Sequence, residues 1–164
     1  MSGTLILGVG NTLLSDEGAG VHAMCYLRDR GKAPEGTRFI DAGTLSFVLA
    51  DDIASATNLV IFDAAELDDN PGTVRVFEGA EFDEFLKSGK RSVHEVGFAD
   101  LMDIARLQDC LPARRALIGI QPGEFGWGSE PGDKVRAAIP EAARLARQLI
   151  EDWHSESMPE AVNQ

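Results

Sequence analysis

Three short apolar runs constrain the fold of this chain more than any other feature: residues 4–9 (TLILGV), 59–62 (LVIF) and 116–120 (ALIGI). None shows polar alternation, and each stops at Gly-Asn, Asp or Gln-Pro-Gly. Such runs read as strands covered on both faces, the usual condition of parallel sheets. The intervening segments carry apolar residues at helical spacing. Strands alternating with helices predict a three-layer α/β sandwich, a mostly parallel twisted sheet of about five strands with helices on both faces.

The remaining elements follow from local signals. A helix begins near residues 16–20 and carries Val21, Met24, Cys25 and Leu27; Gly31 stops it, with Pro34 just beyond. Residues 38–41 form a second strand, and 45–53 a helix with Thr44 as its N-cap. After the Asn70-Pro71-Gly72 turn, residues 73–77 alternate with period two, the pattern of a half-exposed edge strand. Residues 98–107 have helical spacing. So does the long C-terminal segment bearing Val135, Ile139, Ala142, Leu145, Leu149 and Trp153, where Pro140 should restart or kink the helix. Residues 3–153 read as one domain and 154–164 as a polar tail that frays.

Charge narrows the partners. With 27 acidic and 15 basic side chains the net charge is −12, which repels nucleic-acid phosphates and anionic lipid. The small basic clusters Lys87, Lys90, Arg91 and Arg114, Arg115 read as solvated loops. Cys25 and Cys110 have no metal-like spacing, and Cys25 reads as a small buried hydrophobe. No segment reaches the roughly 20 apolar residues of a membrane span, and the N-terminus has no signal-peptide pattern. The expectation is a soluble, reduced, cytoplasmic protein.

Ligands of open α/β sheets bind beyond the carboxyl ends of the strands. That rule selects Asn11, Ser15, Asp16 and Glu17 after the first strand, Asp41 after the second, and Asp63 and Glu66 after the third. His94, in a loop before the 98–107 helix, can reach the same rim. Crowded carboxylates with one imidazole suit a divalent transition metal, and Glu17, Asp63 and His94 are the set of interest. Helix capping and loop solvation explain any one of them alone better than a metal does; it is the three together that make the metal reading competitive. Familiar signatures fail: GxGxxG has Leu13 at its third glycine, HExxH has Phe98 at its second histidine, and no phosphate loop or G-x-S-x-G elbow is present. Asp41-Ala42-Gly43-Thr44 faintly resembles the Asp-Thr/Ser-Gly of aspartic proteases. Trp127, between two glycines, reads equally as a core plug or a partner contact.

Taken in order, these segments resemble the hydrogenase maturation endopeptidase family. The opening LILGVGNTLLSDEGAGV (residues 5–21) looks like that family's GxGN-x-L-x-x-D-E-x-x-G-V. Asp41-Ala42-Gly43-Thr44 is similar to its D-G-G-T. Phe62-Asp63-Ala64, Pro71-Gly72-Thr73, Ser92-Val93-His94-Glu95-Val96-Gly97 and Ile118-Gly119-Ile120-Gln121-Pro122 follow in the family order. Two departures are Ala42, where glycine is usual, and Glu95, where many relatives have glutamine.

The resemblance implies an endopeptidase that trims the C-terminal extension of a [NiFe] hydrogenase large-subunit precursor. It implies metal binding by Glu17, Asp63 and His94, with nickel supplied by the precursor. Asp16 or Asp41 would serve as the base of an aspartyl-type hydrolysis. A non-catalytic nickel-binding chaperone is the alternative reading of the same ligands. Neither nucleic acid nor membrane is an expected partner, and a monomer is the default expectation.

Overall fold

The computed structural model describes residues 3–43, 47–88, 95–123 and 125–157. Its sheet contains β1 (Thr4–Val9), β2 (Thr37–Gly43), β3 (Asn58–Ala64), β4 (Val74–Glu78) and β5 (Arg114–Ile120), in the order β2-β1-β3-β5-β4. All pairs are parallel except β4 with β5. The expected α/β sandwich is present, and the half-exposed strand β4 is an edge, as its alternation predicts. Every residue of β1 and β3 is buried, which is why their sequences lack polar alternation.

Alternation of side chains divides the core into two layers. Ile6, Val60, Phe62 and Ile118 pack under α1 (Ala19–Arg30) and α5 (Asp133–Ser157). Leu5, Leu7, Leu59, Ile61 and Leu117 pack against the other layer, formed by α2 (Ala50–Ala54), α3 (Ala80–Lys87) and α4 (Glu95–Leu107). Each fully buried Leu, Ile or Phe contributes about 1.5–3 kcal/mol. Trp153, near the end of α5, is buried and donates its indole N–H to Glu78 Oε1 at 2.7 Å, fastening the long helix to the edge strand.

Several local expectations change. The 45–53 helix is a 3-10 turn (Phe47–Leu49) followed by α2, and residues 44–46, with the Thr44 cap, lie outside the described residues. Pro140 does not divide α5. The apolar stripe from Val135 to Trp153 holds the helix on the sheet and offsets the lost hydrogen bond. The same helix continues through His154 to Ser157, so residues 154–157 are not a frayed tail. Lys87 closes α3, a helix the sequence reading passes over because its Phe82, Phe85 and Leu86 sit in a short, charged segment. Arg114 and Arg115 begin β5 rather than a solvated loop.

Arg115 joins layers. Its Nε and Nη2 donate to the two Asp83 carboxylate oxygens at 2.9 and 2.6 Å, tying β5 to α3, and both side chains are mostly buried. The Arg115 hydrogen bonds hold the Asp83 carboxyl below its usual range, against the opposing effect of burial. A carboxylate whose pKa is depressed by folding stabilises above its unfolded pKa and loses that contribution as pH falls. Asp83→Asn should therefore cost about 1–3 kcal/mol near pH 7. In urea melts the gap to wild type should narrow below about pH 4; a gap independent of pH would remove the ion pair from the explanation.

Candidate active site at the switch point of the sheet

β1 has β2 on one side and β3 on the other, so the order of the sheet reverses between β1 and β3. Loops leaving two such strands diverge to opposite faces and open a crevice at the carboxyl rim. The candidate residues after the first and third strands flank this crevice.

The loop after β1 is built tightly. Asn11 Oδ1 accepts the Leu13 N–H at 2.9 Å, and the Asn11 carbonyl accepts the Leu14 N–H at 3.1 Å. Ser15 takes a positive φ of 49° and opens a 3-10 turn, Ser15–Gly18, that carries Asp16 and Glu17 into α1. Two glycines let this turn settle on the strand ends. Gly10 has φ 132°, and a Cβ there would fall on the Glu17 carbonyl oxygen. A Cβ on Gly20 would fall on the carbonyl oxygens of Val9 and Phe62. Glu17 is thereby held half-buried over the rim.

Asp63 ends β3 with no exposed surface. By alternation it belongs to the face of Leu59 and Ile61, whereas the Glu17 turn descends from the α1 face, so the two acids approach the rim from opposite sides of the sheet. Asp41 is exposed, and its Oδ1 accepts the Gly43 N–H at 2.9 Å. It pairs in register with Gly8, as Phe62 does from the other side, so two strand spacings, about 10 Å, separate its backbone from β3. The positive φ of this segment falls on Gly43, at 50°, and not on Ala42. Alanine at position 42 is thus accommodated without strain.

Asp16 is 1% exposed, and both its oxygens bind backbone amides: Oδ2 accepts the Gly123 N–H at 2.8 Å and Oδ1 the Gly132 N–H at 2.7 Å. It braces the β1 loop against two distant turns. The sequence signal for this brace was the pair of Pro-Gly steps, Pro122-Gly123 and Pro131-Gly132. Gln121 holds a second joint of the rim that the sequence does not display. Buried at the end of β5, it accepts the Leu67 N–H through Oε1 at 2.6 Å and donates from Nε2 to Glu66 at 3.2 Å, fixing the exit from β3. Trp127 is 86% exposed and is no core plug.

His94 lies outside the described residues; Glu95, next to it, begins α4. Among the described residues no three His, Cys, Asp or Glu side chains gather closely enough to hold a metal ion.

A doubly wound domain with carboxylates on both sides of its switch point defines a class, the small α/β proteins that act on a ligand at the sheet's carboxyl edge. Comparison with known proteins specifies it. A family model described as hydrogenase maturation protease matches residues 21–149. The hydrogenase 2 maturation protease of Escherichia coli K12 is 35% identical over 161 residues, 97% of this chain and 98% of that protein. A hydrogenase expression/formation protein (HoxM) of Azotobacter vinelandii is 35% identical over 147 residues, 89% of this chain and 71% of its own. Among solved structures, the hydrogenase maturating endopeptidase HybD of E. coli matches with a TM-score of 0.85 at 29% identity, over 92% of this chain and 93% of its own. The [NiFe] hydrogenase maturation protease HybD of Thermococcus kodakarensis matches at 0.78 and 34% identity, over 90% and 99%. The chain belongs to the hydrogenase maturation protease family and is an endopeptidase. No helix among the described residues is long and apolar enough to cross a membrane.

The brace makes a stability prediction. Asp16→Ala strands two buried N–H donors and should cost about 2–4 kcal/mol, while Asp16→Asn, which keeps one acceptor oxygen, should cost less. Thermal melts of the two variants check this. Wild-type stability with abolished cleavage would instead assign Asp16 to the chemistry.

Proposed function

We propose that this endopeptidase removes the C-terminal extension of a [NiFe] hydrogenase large-subunit precursor in the cytoplasm, and that it recognises nickel already bound in that substrate. The observation that carries this reading is Asp63. It is a carboxylate with no exposed surface at the carboxyl end of β3, where a ligand of an open α/β sheet binds. Glu17 stands over the same rim. His94 would supply the third donor, and α4, about 20 Å long, can span from the amino edge near β5 to the rim. Two carboxylates and an imidazole form a donor set suited to nickel.

With Asp16 saturated by backbone donors, Asp41 is the better base. Its carboxylate is exposed, and its Oδ1 accepts the Gly43 N–H. Asp41 would take a proton from the attacking water as the water oxygen bonds to the scissile carbonyl carbon. The proton then passes to the departing amine as the C–N bond breaks. Substrate-bound nickel supplies orientation and charge stabilisation at this step. The other residues hold the geometry: Asp16 the β1 loop, Gln121 the β3 exit.

An in vitro cleavage assay on the nickel-loaded precursor tests the reading. Wild type should shorten it only when nickel is present, and His94→Ala should lose at least about 100-fold in rate, the scale of a removed ligand or base. Asp41→Asn should lose rate while still binding the loaded precursor. Nickel-dependent binding without shortening would favour a chaperone role, and nickel-independent cleavage would sink metal recognition.

A further inference from the structure

The five large apolar side chains most exposed among the described residues are Leu13, Val48, Leu107, Phe125 and Trp127. Three of them gather on one surface. Leu13, Phe125 and Trp127, at 59%, 73% and 86% exposure, lie on two loops that are bonded to each other. Gly128 donates its N–H to the Leu13 carbonyl and accepts the Ser15 N–H, both at 2.9 Å, and Leu14 and Gly128 form a parallel bridge. Asp16, through Gly123 and Gly132, clamps the second loop on both sides of Phe125 and Trp127. The aromatics are thus presented from an anchored backbone, which lowers the entropy lost on binding.

From this arrangement we infer that the paired loops 11–15 and 125–130 are the docking surface for the body of the precursor, gripping it beside the bond to be cut. The inference rests on the precursor being the substrate. The occupant is set by continuity: Leu13 and Glu17 belong to one loop, so a protein delivering a peptide to the rim must pass over Leu13 and Trp127. Exposed aromatic and aliphatic residues beside an active site form the type of cluster that dominates protein interfaces. Nearby Glu130 and Asp41 are exposed, in a chain of net charge −12. The matching face on the precursor is an apolar recess bordered by Lys and Arg. The apolar contacts secure the folded substrate, and the rim handles only the extended segment.

Trp127 gives the surface its own reporter, because Trp153, the other tryptophan, is buried. Enzyme labelled with 5-fluorotryptophan shows one resonance from each. On titration with unlabelled nickel-loaded precursor, the Trp127 resonance should shift or broaden and the Trp153 resonance should stay. In cleavage assays Phe125→Ala/Trp127→Ala should raise KM about tenfold or more, with the loss falling on KM rather than kcat and with an unchanged thermal midpoint. If wild type cuts the precursor while the Trp127 resonance stays fixed and the double variant keeps its KM, the docking surface is overturned. A Trp127 shift that follows enzyme concentration alone would assign the patch to a second copy of this chain, and would also overturn it. Failure of wild type to cut the precursor at all strikes at the proposed function instead.

Discussion

The rim depends on how closely α1 approaches the ends of β1 and β3. Gly20 lets the helix backbone lie against the Val9 and Phe62 carbonyls, where any side chain would hold it away. Burial of Val21, Ala23, Met24 and Leu27 draws the helix down on the same line. Once α1 is seated, the turn before it has nowhere to go except over the strand ends. The backbone of Glu17 owes its position to this packing.

Seating α1 also determines what the first loop must do. It leaves β1 through Gly10, reverses at Asn11, and re-enters the helix through Ser15 at positive φ. A backbone of that shape needs external support. It receives support from Gly128 on one strand of the neighbouring loop and, through Asp16, from Gly123 and Gly132. The same bonds that stabilise the loop carry Phe125 and Trp127 to its side. Site geometry and the exposed apolar surface therefore share one scaffold, and a change in either loop is felt in both.

Much of this was legible in the sequence, for identifiable reasons. The runs TLILGV, LVIF and ALIGI report burial on two faces directly, so the parallel centre of the sheet could be read, and so could the edge position of the alternating TVRVF strand. The carboxyl-rim rule then singled out Asp16, Glu17, Asp41 and Asp63 without further help. Two kinds of feature were hidden. Helix α3 is short, and its stability comes from tertiary contacts, Phe82 and Phe85 in the core and Asp83 on Arg115, which no local pattern displays. The structural role of Asp16 was hidden because a sequence shows the acid but not the two amides, more than 100 residues away, that it binds. Arg115 was misread for the same reason: a partner distant in sequence converts a surface charge into a structural one.

That contrast between Asp16 and Asp41 bears on the chemistry. A carboxylate engaged at both oxygens by rigid backbone donors has its lone pairs directed at the protein, and taking up a proton would cost it a hydrogen bond. Asp41 faces the opposite condition. It stands near the end of β2 on the α1 side of the sheet, exposed to solvent, and its Oδ1 accepts the Gly43 N–H. Its backbone lies about 10 Å from that of β3, with β1 between the two, too far for Asp41 and Asp63 to meet one metal ion without long side-chain reach. On the proposed reading Glu17 and Asp63 would face the substrate's metal, and Asp41, on the α1 side with Glu17, would address the peptide from the end of β2. That division would follow strand position, and it would depend on the β1 loop that Asp16 braces.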